Sequence, residues 1–467
     1  MGAGVLVLLW FDTEDYILPA ADDATLRLAR FLTDRGIKAT FKMVGEKARV
    51  LEQRGRRDVI TALAWHEIGY HTDFHSMHPT PAEYLSNLGW DEGVAEFDRR
   101  EWRGFEDVRR ILGATPSCYG QPGSSWAPQA YGAMRKWGVG VYLDAGSHVN
   151  LDGRPCFYCG TLNLLHLTHT IRAELNKPSD LETAKKRFGA ARDGLLAEGG
   201  GLVSVYYHPC EFVHREFWDS VNFARGANPP RVRWKLPGLR APAAAETGFR
   251  NFEGFVKFMG TFPDVRFITA SDAAALYPDR ARGRRFDREE IREIAAGVGE
   301  TIGFQAYGDY ALAASEVFSI LNEFAVTGLD SSVILKETPL GPTSSPPRAG
   351  APFTVDRHQF ARTVFDVADE LRRRGRLPSS VWLGSRAVPP EAYLCTLARD
   401  ILSRIGGRPF SRRVRVKPAR LGAAKCVAED SPDLWGWTVF PRGFRAPAMM
   451  DLARRQAWTL KPAALRG

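Results

Sequence analysis

Val5-Leu6-Val7-Leu8-Leu9-Trp10-Phe11, followed at once by Asp12-Thr13-Glu14-Asp15, is the stretch on which the reading of this chain turns. Its apolar part is strand-sized, far short of the roughly 18–20 residues that a membrane span needs, and it runs straight into charge. It is therefore read as the first strand of an α/β fold, ending in three carboxylates. Three like charges packed together repel one another unless a cation or a basic partner sits among them. Met1-Gly2-Ala3-Gly4 brings no basic residue ahead of the apolar run, so a secretory signal is not expected and the cytoplasm is.

Outward from this strand, the first roughly 275 residues alternate between strand and helix patterns, the rhythm of a parallel α/β architecture. Strands are expected at Val5–Phe11, Ala39–Val44, Ser117–Gly120, Val139–Leu143, Leu162–Leu167, Leu202–Tyr207 and Val265–Thr269. Helices are expected at Asp22–Arg35 (closed by Gly36), Ala95–Leu112, Pro128–Trp137, Ser179–Leu196 and Phe252–Met259. After Tyr277 the texture changes. Residues 278–289 read as a basic linker, and residues 290–467 as a smaller, helix-rich α/β domain without a catalytic constellation. That region has helical spacing at His358–Arg374 and Pro390–Ile405, and Pro339–Pro352 reads as a flexible connector. A length of 467 residues fits two domains, and 44% hydrophobic with 25% charged residues fits a globular chain. The net charge of +9 follows from abundant arginine, and no basic helix interleaves with aromatics, so nucleic acid is not an expected partner. Six scattered cysteines suggest no disulfide framework.

Nine of the ten histidines lie between His66 and His214, which places any metal or acid–base chemistry in the first half. His66-Glu67-Ile68-Gly69-Tyr70-His71-Thr72-Asp73-Phe74-His75 sets His71 and His75 four apart, on one helical face or in one tight loop. Two imidazoles and a carboxylate with an open position form the usual ligand set of a catalytic zinc-like site. His78 reads as a loop residue. Tyr119-Gly120-Gln121-Pro122-Gly123-Ser124-Ser125-Trp126 and Val205-Tyr206-Tyr207-His208-Pro209 also end strands or follow them. In parallel barrels, catalytic residues gather at those carboxyl ends. Cys156-Phe157-Tyr158-Cys159 reads as part of a hairpin with side chains on opposite faces, not as a zinc knuckle.

Together, Phe11–Asp15, Ala39-Thr40-Phe41-Lys42-Met43-Val44-Gly45 and His66–His75 resemble, in that order, the opening of the NodB-homology polysaccharide deacetylases. The resemblance covers roughly residues 5–275 and implies an incomplete (β/α) barrel that binds a divalent metal. Zinc is the first expectation, with cobalt, nickel or iron fitting similar ligands. It further implies His71 and His75 as metal ligands, with Glu14 as the carboxylate ligand and Asp15 the runner-up. Asp12 is implied as general base and His208 as general acid. The segment 119–126 resembles the family's substrate loop, with Gln121 and Trp126 in it and the Gly123 N–H matching the oxyanion donor. That loop normally carries an arginine where Gly120 stands, which in the family steadies the base; Gln121 or Arg172 would have to substitute.

The expected activity is hydrolysis of a non-peptide amide, foremost N-deacetylation of an N-acetylated sugar or cell-wall glycan. The alternatives are an allantoinase-like hydrolase of a small amide and a carbohydrate-binding protein that kept the fold and lost catalysis. Trp10, Tyr16, Tyr70, Trp126 and Tyr207 are candidates for stacking on sugar rings, with core packing as the competing role. A homo-oligomer is compatible with this reading.

Overall fold

The computed structural model describes residues 4–328, 330–348, 350–407 and 411–464. Its main sheet has 11 strands. These include β1 (Val5–Thr13), β2 (Thr40–Met43), β3 (Glu67–Tyr70), β4 (Cys118–Tyr119), β5 (Val141–Asp144), β6 (Cys156–Tyr158), β7 (Thr161–Leu165), β8 (Thr170–Ile171), β9 (Gly201–Tyr207) and β10 (Val265–Ile268). The order runs from the short strand Lys461–Pro462 through β6, β7, β5, β4, β3, β2, β1 and β9 to β8, with β10 also paired to β1. Pairing is parallel except around β6, whose partners β7 and Lys461–Pro462 are antiparallel to it. The result is the open, incomplete α/β barrel expected from the sequence.

Strand β1 is buried along its whole length because both of its faces are covered. Val5, Val7, Leu9 and Phe11 face the large core shared with the helices. Leu6, Leu8 and Trp10 face an inner cluster with Val141, Leu143, Leu164 and Ile268. The period of two continues past the strand, so Asp12 and Glu14 follow the inner-face residues while Asp15 leaves on the other side. The outer helices show the matching 3.6-residue period. In Trp90–Leu112 the buried positions are Trp90, Gly93, Phe97, Glu101, Gly104, Phe105, Val108 and Leu112, and left-handed Gly113 ends the helix.

Two local expectations shift. The first helix starts at Pro19, not Asp22, since proline suits the first turn. Asp22 is instead buried against Lys47 and Arg54. The last barrel helix begins at Pro242, ten residues before the apolar pattern that flagged it. Cys156–Cys159 does form a hairpin, turned by Cys159 (φ 51°) and Gly160 (φ 73°).

The region after Tyr277 does not behave as one appended unit. Residues between Ala281 and Val416 build a second core, with Phe318, Leu321, Tyr393 and Leu397 at its centre. From Ala423 onward the chain returns to the barrel, and Val427, Trp435, Phe440, Met449, Met450 and Leu460 join the first core. Val149 bridges to Val427, and Lys461–Pro462 extends the main sheet. The basic stretch is likewise packed: Ala281 and Phe286 are buried, and Asp287 caps the helix Arg288–Ala296.

Candidate metal centre

Five segments deliver side chains to the carboxyl ends of neighbouring strands: Asp12 on β1, Lys42 on β2, His71 just past β3, Asp144 ending β5 and His208 just past β9. Glu14, His71 and His75 form the one group of His, Cys, Asp and Glu among the described residues whose ligand atoms lie within 4.8 Å of one another. Glu14 Oε2 is 3.0 Å from His75 Nε2 and 3.8 Å from His71 Nε2. The histidines lie in the loop after β3, which bends through Thr72 (φ 65°) and His75 (φ 55°) in the left-handed region that non-glycine residues seldom adopt. Asp15, the alternative carboxylate, points elsewhere. Its Oδ1 accepts the N–H of Ile17 at 2.7 Å, its Oδ2 lies 3.3 Å from His214, and burial raises its pKa to about 6.

The ring orientations suit a cation. His71 Nδ1–H donates to the Gly120 carbonyl at 2.9 Å and His75 Nδ1 lies against Ser76 Oγ, so each ring turns its Nε2 toward Glu14. His75 Nε2 is buried without a hydrogen-bond partner, and Glu14 is 4% exposed. Burial by itself raises the Glu14 pKa, but His75 and His208 hold it well below the usual carboxylate range. Burial lowers the His75 pKa, and Glu14 more than reverses this. The donor set, two imidazoles and a carboxylate with buried lone pairs converging, fits a divalent transition metal.

Asp12 lies beside this group, its Oδ1 3.6 Å from His71 Nε2 and its Oδ2 3.6 Å from His208 Nε2. The cation that steadies it is neither Gln121 nor Arg172. It is Lys42, the cross-strand register partner of Asp12, whose Nζ lies 2.9 Å from Asp12 Oδ1 and 3.0 Å from Asp144 Oδ2. Lys42 also donates to the Leu143 carbonyl at 2.9 Å. Glycine at 120 makes this possible, since a Cβ there would lie 2.1 Å from Nζ. Where an arginine was expected the space is filled by another residue's ammonium. Burial raises the Asp12 pKa, but His71, Lys42 and His208 together bring it below its ordinary value. Asp144, facing the same lysine, stays raised because burial wins there.

Gln121 donates to Asp144 Oδ1 at 3.0 Å and so braces the lysine's second carboxylate. Arg172 pairs with Glu211 at 2.6 Å. Glu211 in turn accepts the His208 backbone N–H at 2.9 Å and lies 3.8 Å from its Nδ1. Burial lowers the His208 pKa, but Glu14, Glu211 and Asp12 outweigh it, so the imidazole holds its proton more tightly than a free histidine.

Trp126 does not face the opening. It is fully buried, stacked on His148 with centroids 5.1 Å apart. Trp10, Tyr16, Tyr70 and Tyr207 are buried as well, so core packing accounts for all five aromatics. His78 bonds Glu83 and the Phe223 carbonyl, as a loop residue.

One aromatic that the sequence reading left out does reach the centre. Trp437, from the returning segment, meets His75 edge to face at 5.5 Å and packs on Gly123, where a Cβ would lie 2.3 Å from its ring. The site is therefore not built by the first half alone.

Solved structures echo the fold only faintly. The chain matches no family profile and no curated protein. A structure from Mycobacterium smegmatis named as a polysaccharide deacetylase shares 16% identity at a TM-score of 0.38, covering 59% of this chain and 90% of its own. A family 4 acetyl xylan esterase from Clostridium thermocellum, in complex with a cobalt ion, shares 17% at 0.32, covering 58% and 91%. Puue allantoinase shares 12% at 0.37, covering 58% and 90%. At these values the likenesses are too distant to bear on activity. Among the described residues no helix is long and apolar enough to cross a membrane.

Proposed function

We propose that this protein is a metal-dependent hydrolase of a non-peptide amide, foremost an N-deacetylase of an N-acetylated sugar. The observation that carries the reading is the placement of a carboxylate of lowered pKa and an imidazole of raised pKa, Asp12 and His208, against the same Glu14–His71–His75 group. Groups pushed apart in this way are an acid and a base held ready at one pH. Glu14, His71 and His75 would hold the ion; when bound, it supplies a Lewis acid that polarises a carbonyl and makes a water acidic near neutrality.

Asp12, held ionised and fixed by Lys42, accepts the proton of the attacking water at a carboxylate oxygen. His208, protonated and steered by Glu211, donates from Nε2 to the departing nitrogen. The Gly123 N–H is assigned the contact to the developing oxyanion, a role that asks nothing of the side chain. Because Asp12, Glu14, His71 and His75 are each no more than 5% exposed, a small amide or the free end of a glycan suits the site better than the middle of a polymer. That enclosure is what favours the second reading, an allantoinase-like hydrolase of a small amide.

The test is elemental analysis of the wild type beside a His71→Ala, His75→Ala double variant, followed by acetate release from short chito-oligosaccharides. About one equivalent of a transition metal, lost in the variant, together with acetate release supports the deacetylase. Metal without acetate moves the substrate to a small amide. A wild type that takes up neither zinc nor cobalt overturns the hydrolase and leaves a carbohydrate-binding protein.

A further inference from the structure

The hydrogen bonds behind His75 run out of the barrel and into the last part of the chain. His75 Nδ1–H reaches Ser76 Oγ, Ser76 Oγ–H points to Asp219 Oδ2 at 3.5 Å, and the Trp437 indole N–H donates to the same oxygen at 3.1 Å. Ser76 gives its one hydroxyl proton to Asp219 and so accepts from His75, which keeps a proton on Nδ1 and turns Nε2 toward Glu14. Asp219, at 4% exposure, accepts the Ser220 N–H at 2.6 Å on its other oxygen. A buried carboxylate held by so few donors depends on each of them. Trp437 is itself pinned on the barrel side, its backbone N–H 3.3 Å from Ser124 Oγ and its ring against Gly123.

Resting on the metal-centre reading above, we propose that the returning segment completes that centre, with Trp437 and Asp219 as positioning residues for the ligand His75. The loop carrying His75 needs such support, since its conformation at Thr72 and His75 is left-handed without glycine. Local bonds supply part of it: the His75 N–H donates to Thr72 Oγ1 at 3.2 Å and Tyr16 OH to the Phe74 carbonyl at 3.0 Å. Neither fixes the imidazole about its own axis. The Ser76–Asp219–Trp437 series does, and it ties the ligand to a residue 218 positions away from Asp219.

The experiment is a Co²⁺ titration of the full-length apoprotein, read by the visible absorption of the bound ion, for wild type, Trp437→Phe, Asp219→Asn and Ser76→Ala. Phenylalanine keeps an aromatic ring at this position and removes the N–H together with part of the indole's area, while Asp219→Asn tests the same bond with the indole intact. Asparagine, with its oxygen kept by Ser220, turns an amide N–H₂ against the tryptophan donor. Circular dichroism and melting confirm that each variant is folded. The expected result is Co²⁺ binding weakened about 10–100-fold with an altered band shape, the usual cost of losing an outer partner of a ligand. Wild-type affinity and an unchanged spectrum in the folded Trp437→Phe and Asp219→Asn proteins would overturn the proposal. If Trp437→Phe does not fold, Asp219→Asn and Ser76→Ala decide it alone. A wild type that binds no Co²⁺ would instead refute the underlying metal reading, and this inference with it.

Discussion

Replacing Lys42 with methionine keeps most of the apolar stem, one atom shorter, and removes the charge, leaving Asp12 and Asp144 as neighbouring buried carboxylates. The ammonium is 2.9 Å from one and 3.0 Å from the other, and its side chain is 0% exposed. At an effective dielectric constant of about 20, each such contact represents about 5–6 kcal/mol of gross attraction. Desolvation offsets much of it, and removing one partner of a buried pair has a net cost of about 3–5 kcal/mol. The sign of the pH dependence separates this from a packing defect. In the wild type the Asp12 pKa lies below its ordinary 3.8, so its contribution is present above that value and lost as the pH falls. In Lys42→Met, burial acts unopposed by the lysine and raises the carboxyl pKa values. Stability is then retained below the unfolded pKa and lost as the pH rises. Urea denaturation of the apoproteins should show a small gap at about pH 4 that widens to about 3–5 kcal/mol near pH 7. Gly120→Ala, whose Cβ would displace the ammonium, should reproduce the trend. A gap that is independent of pH, or below about 1 kcal/mol at neutrality, would refute the role given to the lysine.

Other outcomes follow from the same geometry. Asp12→Asn should fold and bind metal yet lose about 10²–10⁴-fold in turnover, the usual share of a general base; unchanged turnover would remove Asp12 from that role. Glu101 is buried beneath Tyr70 and Tyr84, and burial, with Asp73 adding to it, lifts its pKa from 4.5 to about 7. A raised folded pKa means stability lost as the pH climbs through that interval, so Glu101→Gln should flatten the fall in urea midpoint between about pH 4.5 and 7. An identical slope in both proteins would count against it. Deleting residues 286–467 removes Trp437, Met449, Met450 and the strand Lys461–Pro462 from the barrel. The fragment should therefore melt without cooperativity and lose metal, whereas a cooperative, metal-binding fragment would show that the returning segment is dispensable.

Much of the barrel was legible because its signals are local. Strand β1, the helix expected over Ala95–Leu112, which the structure begins at Trp90, and the hairpin at Cys156 each announce themselves through periodicity or turn residues within a single window. The choice of Glu14 over Asp15 was also available from parity, since residues 6, 8, 10, 12 and 14 share one side of an extended chain. Lys42 also carries a local signal: a charged residue between Phe41 and Met43 in a strand buried along its length, Thr40–Met43, requires a buried partner. For Trp126 the loop motif suggested a substrate contact, but an indole beside His148 and Tyr131 gains more from burial than from the opening.

The amino-acid sequence by itself determined which side chains stand at strand ends, and hence the kit of two carboxylates and three histidines. Residue type and spacing settle that much, because strand parity and loop length act over a few residues. The tertiary structure alone decided that Lys42 bridges Asp12 to Asp144, that Arg172 serves Glu211, and that the chain returns after Val416 to lay Trp437 on the metal loop. Those contacts join residues 30 to 362 positions apart. Register between strands and the burial of a distant apolar segment create them, and no short stretch of sequence encodes either.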